Sequence, residues 1–455
     1  MTTPPDSEAA DALLEQALAH AEGADAEAMY VGREAALTRF ANSHIHQNVV
    51  ERDATLRLRV VQDGRTGVAS TNRLDADGLA EVARRARAVC AEAPRNPDAA
   101  PLANAALGGG VSRLGYVGAT AAAPPEQRAA GVQAVVAAAA DAKLSASGAY
   151  STEAGTLAVA NTAGVHARHA STQAKLLTVM TGEDGASGYA QAAGPDIAAL
   201  DPRAVGDEAV DRAVRSAGAQ DLPPGDYTVI LEEYAVATLL EYLSIVSFSA
   251  LAVAEGRSFM EIGSQVMGEN VTIWDDGSDP TGQPATIDYE GVAKQRVDLI
   301  TDGVARAVVH DSATARRAGV SSTGHGLPAP NTFGPLAWNL FMAPGSSSKT
   351  AMLAGIERGV WVSRFHYVNI VHPRRGTLTG MTKDGTFLIE NGRLTRPIRN
   401  LRFTQAVPDA FGRITAISSE TRLVAAEYSG VFGRVPALRI DGFRFTGATA
   451  AEASE

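Results

Sequence analysis

Between residues 228 and 243 the apolar pattern changes its period. The run T-V-I-L is continuous, as in a strand buried on both faces. In the E-E-Y-A-V-A-T-L-L-E-Y-L that follows, Val236, Leu239, Leu240 and Leu243 fall at i, i+3, i+4 and i+7, one face of a helix. Pro223, Pro224 and Gly225 punctuate the chain just before it, so a domain is expected to begin there. Past Leu243 the segment S-I-V-S-F-S-A-L-A-V-A reads as more of the same helix, now apolar on more than one face. A helix of that kind is buried, either in a large core or at an interface.

Upstream, Ser7 is placed to cap a helix reaching residue 20, with Leu13, Leu14 and Leu18 on one side. Alternating or β-forming runs at 26–31, 37–41, 44–51 and 55–61 predict strands, and Asp63-Gly64 between two such runs predicts a hairpin. A helix is expected over 75–91. Residues 94–124, rich in Ala, Gly and Pro, read as a linker or a loosely held excursion. Then come a helix over 125–141, strands at 144–150, 156–161, 165–180 and 187–190, and a helix from Asp201-Pro202 to about residue 216. Further on, Ser346-Ser347-Ser348-Lys349 leads into a helix over 350–358, and Lys383-Asp384-Gly385 and Asn391-Gly392 read as turns between strands. These elements predict an α+β protein in three parts. Residues 1–100 and 101–222 form N-terminal and central mixed α/β modules, and 223–455 form a β-rich C-terminal domain.

A formal net charge of −11 argues against a nucleic-acid surface, which needs clustered Lys and Arg. A single cysteine, Cys90, excludes an internal disulfide framework and a cysteine-based metal cluster. No apolar run approaches the length of a membrane span, and the first residues have neither the basic nor the apolar region of a secretory signal. The cytoplasm is therefore the expected compartment.

Zinc requires three or four converging His, Cys, Asp or Glu groups. His44 and His46 share one side of a strand but bring no third ligand. His166 and His169 point to opposite faces, and His366 and His372 bracket another strand. The S-x-x-K at 346–349 lacks the companion motifs of a serine acyl-transfer enzyme, so Ser348 reads as a helix cap. Asp275-Asp276 and Asp288 with Glu290 sit beside glycine turns and read as turn caps and strand-end carboxylates.

Several longer stretches carry a resemblance. L-T-R-F-A-N-S-H-I-H-Q-N (37–48) and R-V-V-Q-D-G-R-T-G (59–67) come first. They are followed by R-S-F-M-E-I-G-S-Q-V (257–266), V-T-I-W-D-D-G-S (271–278) and I-D-Y-E-G-V-A (287–293), and then by S-S-T-G-H-G (321–326) with Asn331. Together with 376–398 they resemble the TldD/PmbA family of peptidases, also called modulators of gyrase. In the family's catalytic branch the 228–243 helix carries H-E-x-x-x-H, and a cysteine near the C-terminus completes a zinc site. Here Glu241, Tyr242 and Val246 stand at the His, Glu and His positions, and no cysteine follows Cys90.

The chain therefore resembles the PmbA/TldE branch. That resemblance implies a non-catalytic subunit with no catalytic residues and no cofactor of its own, zinc being expected only in a TldD-like partner. It implies a heterodimer with that peptidase, or a homodimer, enclosing a chamber where small or unfolded peptides are cut, with substrate laid along a strand edge. His325, with Gly324 and Asn331, is the candidate for peptide binding or for bracing loops, because flanking glycines let backbone approach a ligand. The alternative is a self-sufficient, metal-independent hydrolase or transferase acting on a small peptide-like or biosynthetic intermediate, with a site built from His325 and Glu241. A pure binding module is a third reading.

Overall fold

The expected strands at 26–31 and 37–41 are one strand, and so are those at 44–51 and 55–61. In the computed structural model, which describes residues 7–96, 101–426 and 429–448, they form β1 (Asp25–Ala41) and β2 (His44–Gln62). The polar interruptions between the paired runs are strand positions on exposed faces. Glu34 and Arg52 are register partners and form an ion pair at 2.8 Å. Gly32 breaks the apolar pattern for a steric reason: a Cβ there would lie 2.2 Å from the Tyr30 hydroxyl.

The sequence 62–65 makes the expected hairpin into β3 (Arg65–Thr71), with Asp63 and Gly64 at φ +52° and +70°, the mirror-image turn that matches strand twist. α1 (Ser7–Ala19) has Ser7 as its first helical residue. α2 (Ala76–Glu92) is capped by Asp75, which accepts from the Gly78 amide at 2.7 Å.

Of the excursion at 94–124, residues 97–100 lie outside the described residues. The rest is held. β4 (Val111–Ser112) and α3 (Gly118–Ala121) follow one another, and β4 pairs in parallel with β6 (His166–Thr181). α4 (Pro125–Asp141) matches its expected bounds, and β5 (Ser145–Asn161) again joins two expected strands. β7 (Ser187–Gly194) and α5 (Pro202–Arg215), capped by Asp201, complete this half. The first sheet runs β3-β2-β1-β5-β6, with β4 and β7 both on β6, so residues from the first 100 and the next 122 share one sheet.

Both helical layers cover the same face of that sheet. Positions 26, 28 and 30 of β1 pack with α1 and α2, and Phe40, ten residues on and of the same parity, packs with α4 and α5. The middle of the face lies between the two layers.

The C-terminal half contains β8 (Gly225–Leu231), α6 (Glu233–Val246), α7 (Ala250–Ala254), β9 (Ile273–Asp275), β10 (Val297–Thr301), β11 (Val304–Ala305) and α8 (Ser312–Ala318). β12 (Asn339–Met342), α9 (Lys349–Ala354), β13 (Arg358–His372), β14 (Thr377–Glu390), β15 (Arg393–Pro397), β16 (Leu401–Ala406), α10 (Val407–Phe411), β17 (Ile414–Ala425) and β18 (Phe432–Ala448) follow. Strands β8, β13, β14, β16 and β18 pair in a closed ring, because β18 bonds both β16 and β8. Closure removes two strand edges. The molecule is α+β.

Two readings are corrected here and one open alternative is decided. The helix that starts at residue 233 stops at Val246. Ser247 leaves helical geometry (φ −130°), its carbonyl accepts the Ser258 hydroxyl at 2.7 Å, and Ser249 begins the separate helix α7. Of the two places left open for the apolar surface of α6, a core or an interface, it takes the core: eleven of its fourteen residues are buried in this chain, with Leu239, Leu240 and Leu243 in one cluster with Phe365, Phe403 and Phe443. Lys383-Asp384-Gly385 is not a hairpin turn but an irregularity inside β14, where Asp384 is buried on Arg364 at 2.7 Å. Ser348 does cap α9, accepting from the Ala351 amide at 3.1 Å, and Asn391-Gly392 is a turn with both φ values positive.

Candidate functional site

The two halves meet on the I-D-Y-E-G-V-A loop, residues 287–293. Asp288 shapes it: Oδ1 accepts the amides of Glu290 and Val292, each at 2.9 Å, and Oδ2 accepts that of Gly326 at 2.7 Å. Gly291 (φ +74°) presses against β5 and the turn that leaves it, where a Cβ would come within 3.0 Å of Val159 and 2.7 Å of Val165. Gly108 bridges Val292, so the segment once read as a linker is stitched to the same loop.

His325 lies beside it with no exposure to solvent. Its Nε2 is 2.8 Å from Asp275 Oδ1 and its Nδ1 is 2.9 Å from the Thr323 hydroxyl. Lys294 Nζ sits 3.5 Å from the same Asp275 oxygen and donates to Asn339 Oδ1 at 2.8 Å, while the Asn339 amide donates to Asp275 Oδ2 at 2.7 Å. Burial pushes the Asp275 carboxyl upward, but Lys294, His325 and the Asn339 amide overcome it and hold the group well below the usual carboxylate range. Burial and Lys294 together lower the His325 imidazole, so the ring is neutral and donates its Nε2 proton to Asp275. Gly324 is required by this packing: at φ +73°, a Cβ would stand 2.4 Å from the Ala293 carbonyl. Asn331 closes a local turn, its Oδ1 accepting from Phe333 at 2.8 Å and Gly334 at 3.2 Å. The cluster braces loops. Nothing in it offers a ring nitrogen to a ligand, and His325 has no nitrogen left for Glu241.

Asp275 is thus not a turn cap, although Asp276 is one, accepting from Ser278. Fifty residues separate Asp275 from His325, and only the fold shows that they are partners. Glu290 lies next to Asp288 and takes two bonds from Ser312, through Oγ (2.6 Å) and the amide (2.9 Å). Burial raises the Glu290 carboxyl and the negative Asp288 raises it further. Burial raises the Asp288 carboxyl as well, to about 7, although its three amide donors oppose the shift, so the pair holds a proton near neutral pH and Glu290, with no such set of amides, is the more readily protonated member. A protonated Glu290 is no general base for Ser312. Two cavities flank the pair. One of about 200 Å³ is lined by His169, Tyr289 and Trp338, and one of about 310 Å³ by Glu27, Arg59 and Asn331.

Glu241, Tyr242 and Val246 lie along α6. Glu241 and Val246 are each 4% exposed, and the Tyr242 hydroxyl is committed to the Val368 carbonyl at 2.6 Å. Among the described residues no three His, Cys, Asp or Glu side chains converge as a metal set. His44 and His46 are exposed on β2, and His169 is buried against the Pro284 carbonyl (3.1 Å) while His166 faces Asp11 (3.6 Å). An irregularity at 366–369 separates His366 from His372.

At the start of α6 an ionic network with a buried centre, Arg212 and Glu232, joins the two halves, and no motif marks it. Arg212 on α5 spans Glu232 (3.0 Å) and Glu208 (2.5 Å). Arg422 on β17 shares Glu208 (2.9 Å) and also bonds Tyr234, and Lys349 holds Glu233 (2.7 Å). Burial pushes Glu232 upward, but Arg212 and Lys349 prevail and lower it.

Comparison with known proteins finds three consecutive family matches. The PmbA/TldA metallopeptidase domain 1 matches residues 26–90, the central domain of that family 120–217, and its C-terminal domain 224–447. A TldD homolog of Haemophilus influenzae, a metalloprotease, is 30% identical over 173 residues, 36% of this chain and 34% of that protein. A metalloprotease of Methanocaldococcus jannaschii is 26% identical over 242 residues, 50% of this chain and 51% of that one. The matches thus span about a third to a half of the length of these curated relatives. The solved structure of TldE from Thermococcus kodakarensis superposes with a TM-score of 0.86 over 96% of this chain and 100% of that one, at 18% identity, a likeness of fold.

Proposed function

This chain belongs to the PmbA/TldD metallopeptidase family, and we propose that it is a PmbA/TldE-type subunit that cleaves no bond itself. It pairs in the cytoplasm with a TldD-like zinc peptidase and helps enclose the space where small or unfolded peptides are cut.

The observation that carries this reading is the inner face of α6. The family resemblance sets Glu241, Tyr242 and Val246 of this chain about where the catalytic branch has His, Glu and His. Valine offers no donor atom, the tyrosine hydroxyl is spent on Val368, and one carboxylate does not make a zinc site. These residues do not fit the family's metal.

A substrate-guiding role needs only backbone. Along its outer edge β2 pairs with β3 from Leu56 onward, and residues 44–54 have no partner strand there among the described residues. An extended peptide can add to such an edge. No helix of the described residues is long and apolar enough to cross a membrane.

Sedimentation velocity of this chain alone and mixed with a TldD-like protein tests the pairing. The expected outcome is a stable mixed complex, burying roughly 2,000 Å² or more as obligate interfaces do. A strict monomer in both runs at micromolar concentration removes the basis of the proposal.

A further inference from the structure

Ala26, Ala28 and Tyr30 of β1 pack with the helices, so Glu27, of opposite parity, belongs to the other face of the first sheet, beside its register partner Arg59 of β2. Both are at least nine-tenths buried there, covered by the C-terminal half, and they line the cavity of about 310 Å³ together with Glu290 and Asp311.

Four buried carboxyl groups meet at this seam: Glu27 from β1, Asp288 and Glu290 from the 287–293 loop, and Asp311 from the cap of α8. The contacts are close. Gly326 lies between two of them, its amide 2.7 Å from Asp288 Oδ2, while a Cβ on it would stand 2.9 Å from Glu290 Oε2. That same Glu290 oxygen takes both bonds from Ser312, the residue after Asp311. The cations on the surrounding elements are engaged. Arg59 pairs with Glu27 at 3.7 Å, Lys294 with Asp275 at 3.5 Å, and Arg57 of β2 donates to the Ala329 carbonyl at 2.9 Å. Burial lowers His310 and His325, next in sequence to Asp311 and Gly326, so both rings are neutral above pH 7. Negative charge buried in excess of its counter-ions is costly, and a retained proton relieves it.

We propose that the seam between the first sheet and the 287–293 loop is a pH-sensitive joint, closed while the Asp288–Glu290 pair keeps a proton and loosened when that proton is lost to water in mildly alkaline solution. Once it leaves, two carboxylates stand on either side of Gly326 and face Glu27 and Asp311. The sign follows from linkage. Burial raises Asp288 to about 7 and Glu290 to about 8, above the values near 4 of hydrated carboxyls. Groups raised in the closed state favour it fully below about pH 4, and that contribution is lost as pH rises through 7 and 8. The joint does not depend on pairing with a peptidase.

Hydrogen exchange of the full chain at about pH 7 and about pH 9, corrected for intrinsic rates, tests it on the amides that the two carboxyls hold: Glu290, Val292, Gly326 and Ser312. Their opening is expected to rise roughly tenfold over this range. The helix α4, on the far face of the sheet, should keep its protection. Glu290→Gln cannot ionise, and its carbonyl oxygen can still accept both Ser312 donors. In this variant the rise should shrink to roughly twofold or less, as only Asp288 is left to titrate. The wild-type profile carries the test should Glu290→Gln fail to fold. Opening unchanged with pH in the wild type, an equal rise in folded Glu290→Gln, or an equal loss of protection throughout the chain would overturn the proposal.

Discussion

Replacing Asp275 by asparagine is expected to lower the unfolding free energy by about 3–5 kcal/mol, the usual cost of breaking a buried ion pair from one side. The carboxylate is fully buried and answers Lys294, itself 2% exposed, together with neutral His325 and the Asn339 amide. Asparagine keeps the shape but leaves the ammonium without a counter-charge. Denaturant melts measure the loss, and Asp275→Asn combined with Lys294→Met should recover most of it, since the stranded charge is then gone.

The pH dependence has a definite sign. The folded-state pKa of Asp275 lies below its unfolded value, so its contribution is fully present above the unfolded pKa and is lost as pH falls through the folded one. The gap between wild type and Asp275→Asn should therefore be flat above about pH 5 and narrow below it. A gap that widens on acidification would show that the ion pair is not the source.

Arg212→Met is expected to cost a comparable amount, about 3–5 kcal/mol, by stranding Glu232 in the interior with only Lys349, 3.9 Å away, to balance it. Its location makes the loss specific. Arg212 comes from α5 and Glu232 from the residue that caps α6, so the variant loosens the junction between the halves. Hydrogen exchange should rise first along α5 and the start of α6, with the first sheet protected as before. Uniform loss of protection would mean that the network stabilises the whole fold and not the seam.

Local chemistry made much of this architecture legible. Pro125 at the first helical position marks α4, Asp201 caps the helix it was expected to cap, Asp75 stands one residue outside the helix it was expected to begin and caps it, and Asp63-Gly64 closes the hairpin it announces. Strand lengths were not legible, because Arg33, Glu34 and Gly155 look like breaks along the chain but sit at register in long ladders, where cross-strand partners and close packing decide. Asp384 looked like a turn residue because Asp-Gly pairs favour turns, and its φ is positive as in one; its buried pairing with Arg364 is a tertiary fact.

The candidate site divides in the same way. The glycines around His325 pointed to a constrained loop, and Gly324 is one. The partners that seal the imidazole, Asp275 and Thr323, and the lysine that holds Asp275, come together only in the fold. The apolar character of α6 was evident, though not where it ends, and periodicity alone cannot tell a core helix from an interface helix; α6 packs in the core.

Cleavage of an unstructured peptide by this chain alone, by a TldD-like zinc peptidase alone, and by the two mixed is the most direct measurement of the proposed role. The expected result is no cleavage by this chain at any zinc concentration, and cleavage by the mixture faster than by the peptidase on its own. Zinc-dependent cleavage by this chain alone, at the rate of the mixture, would contradict it.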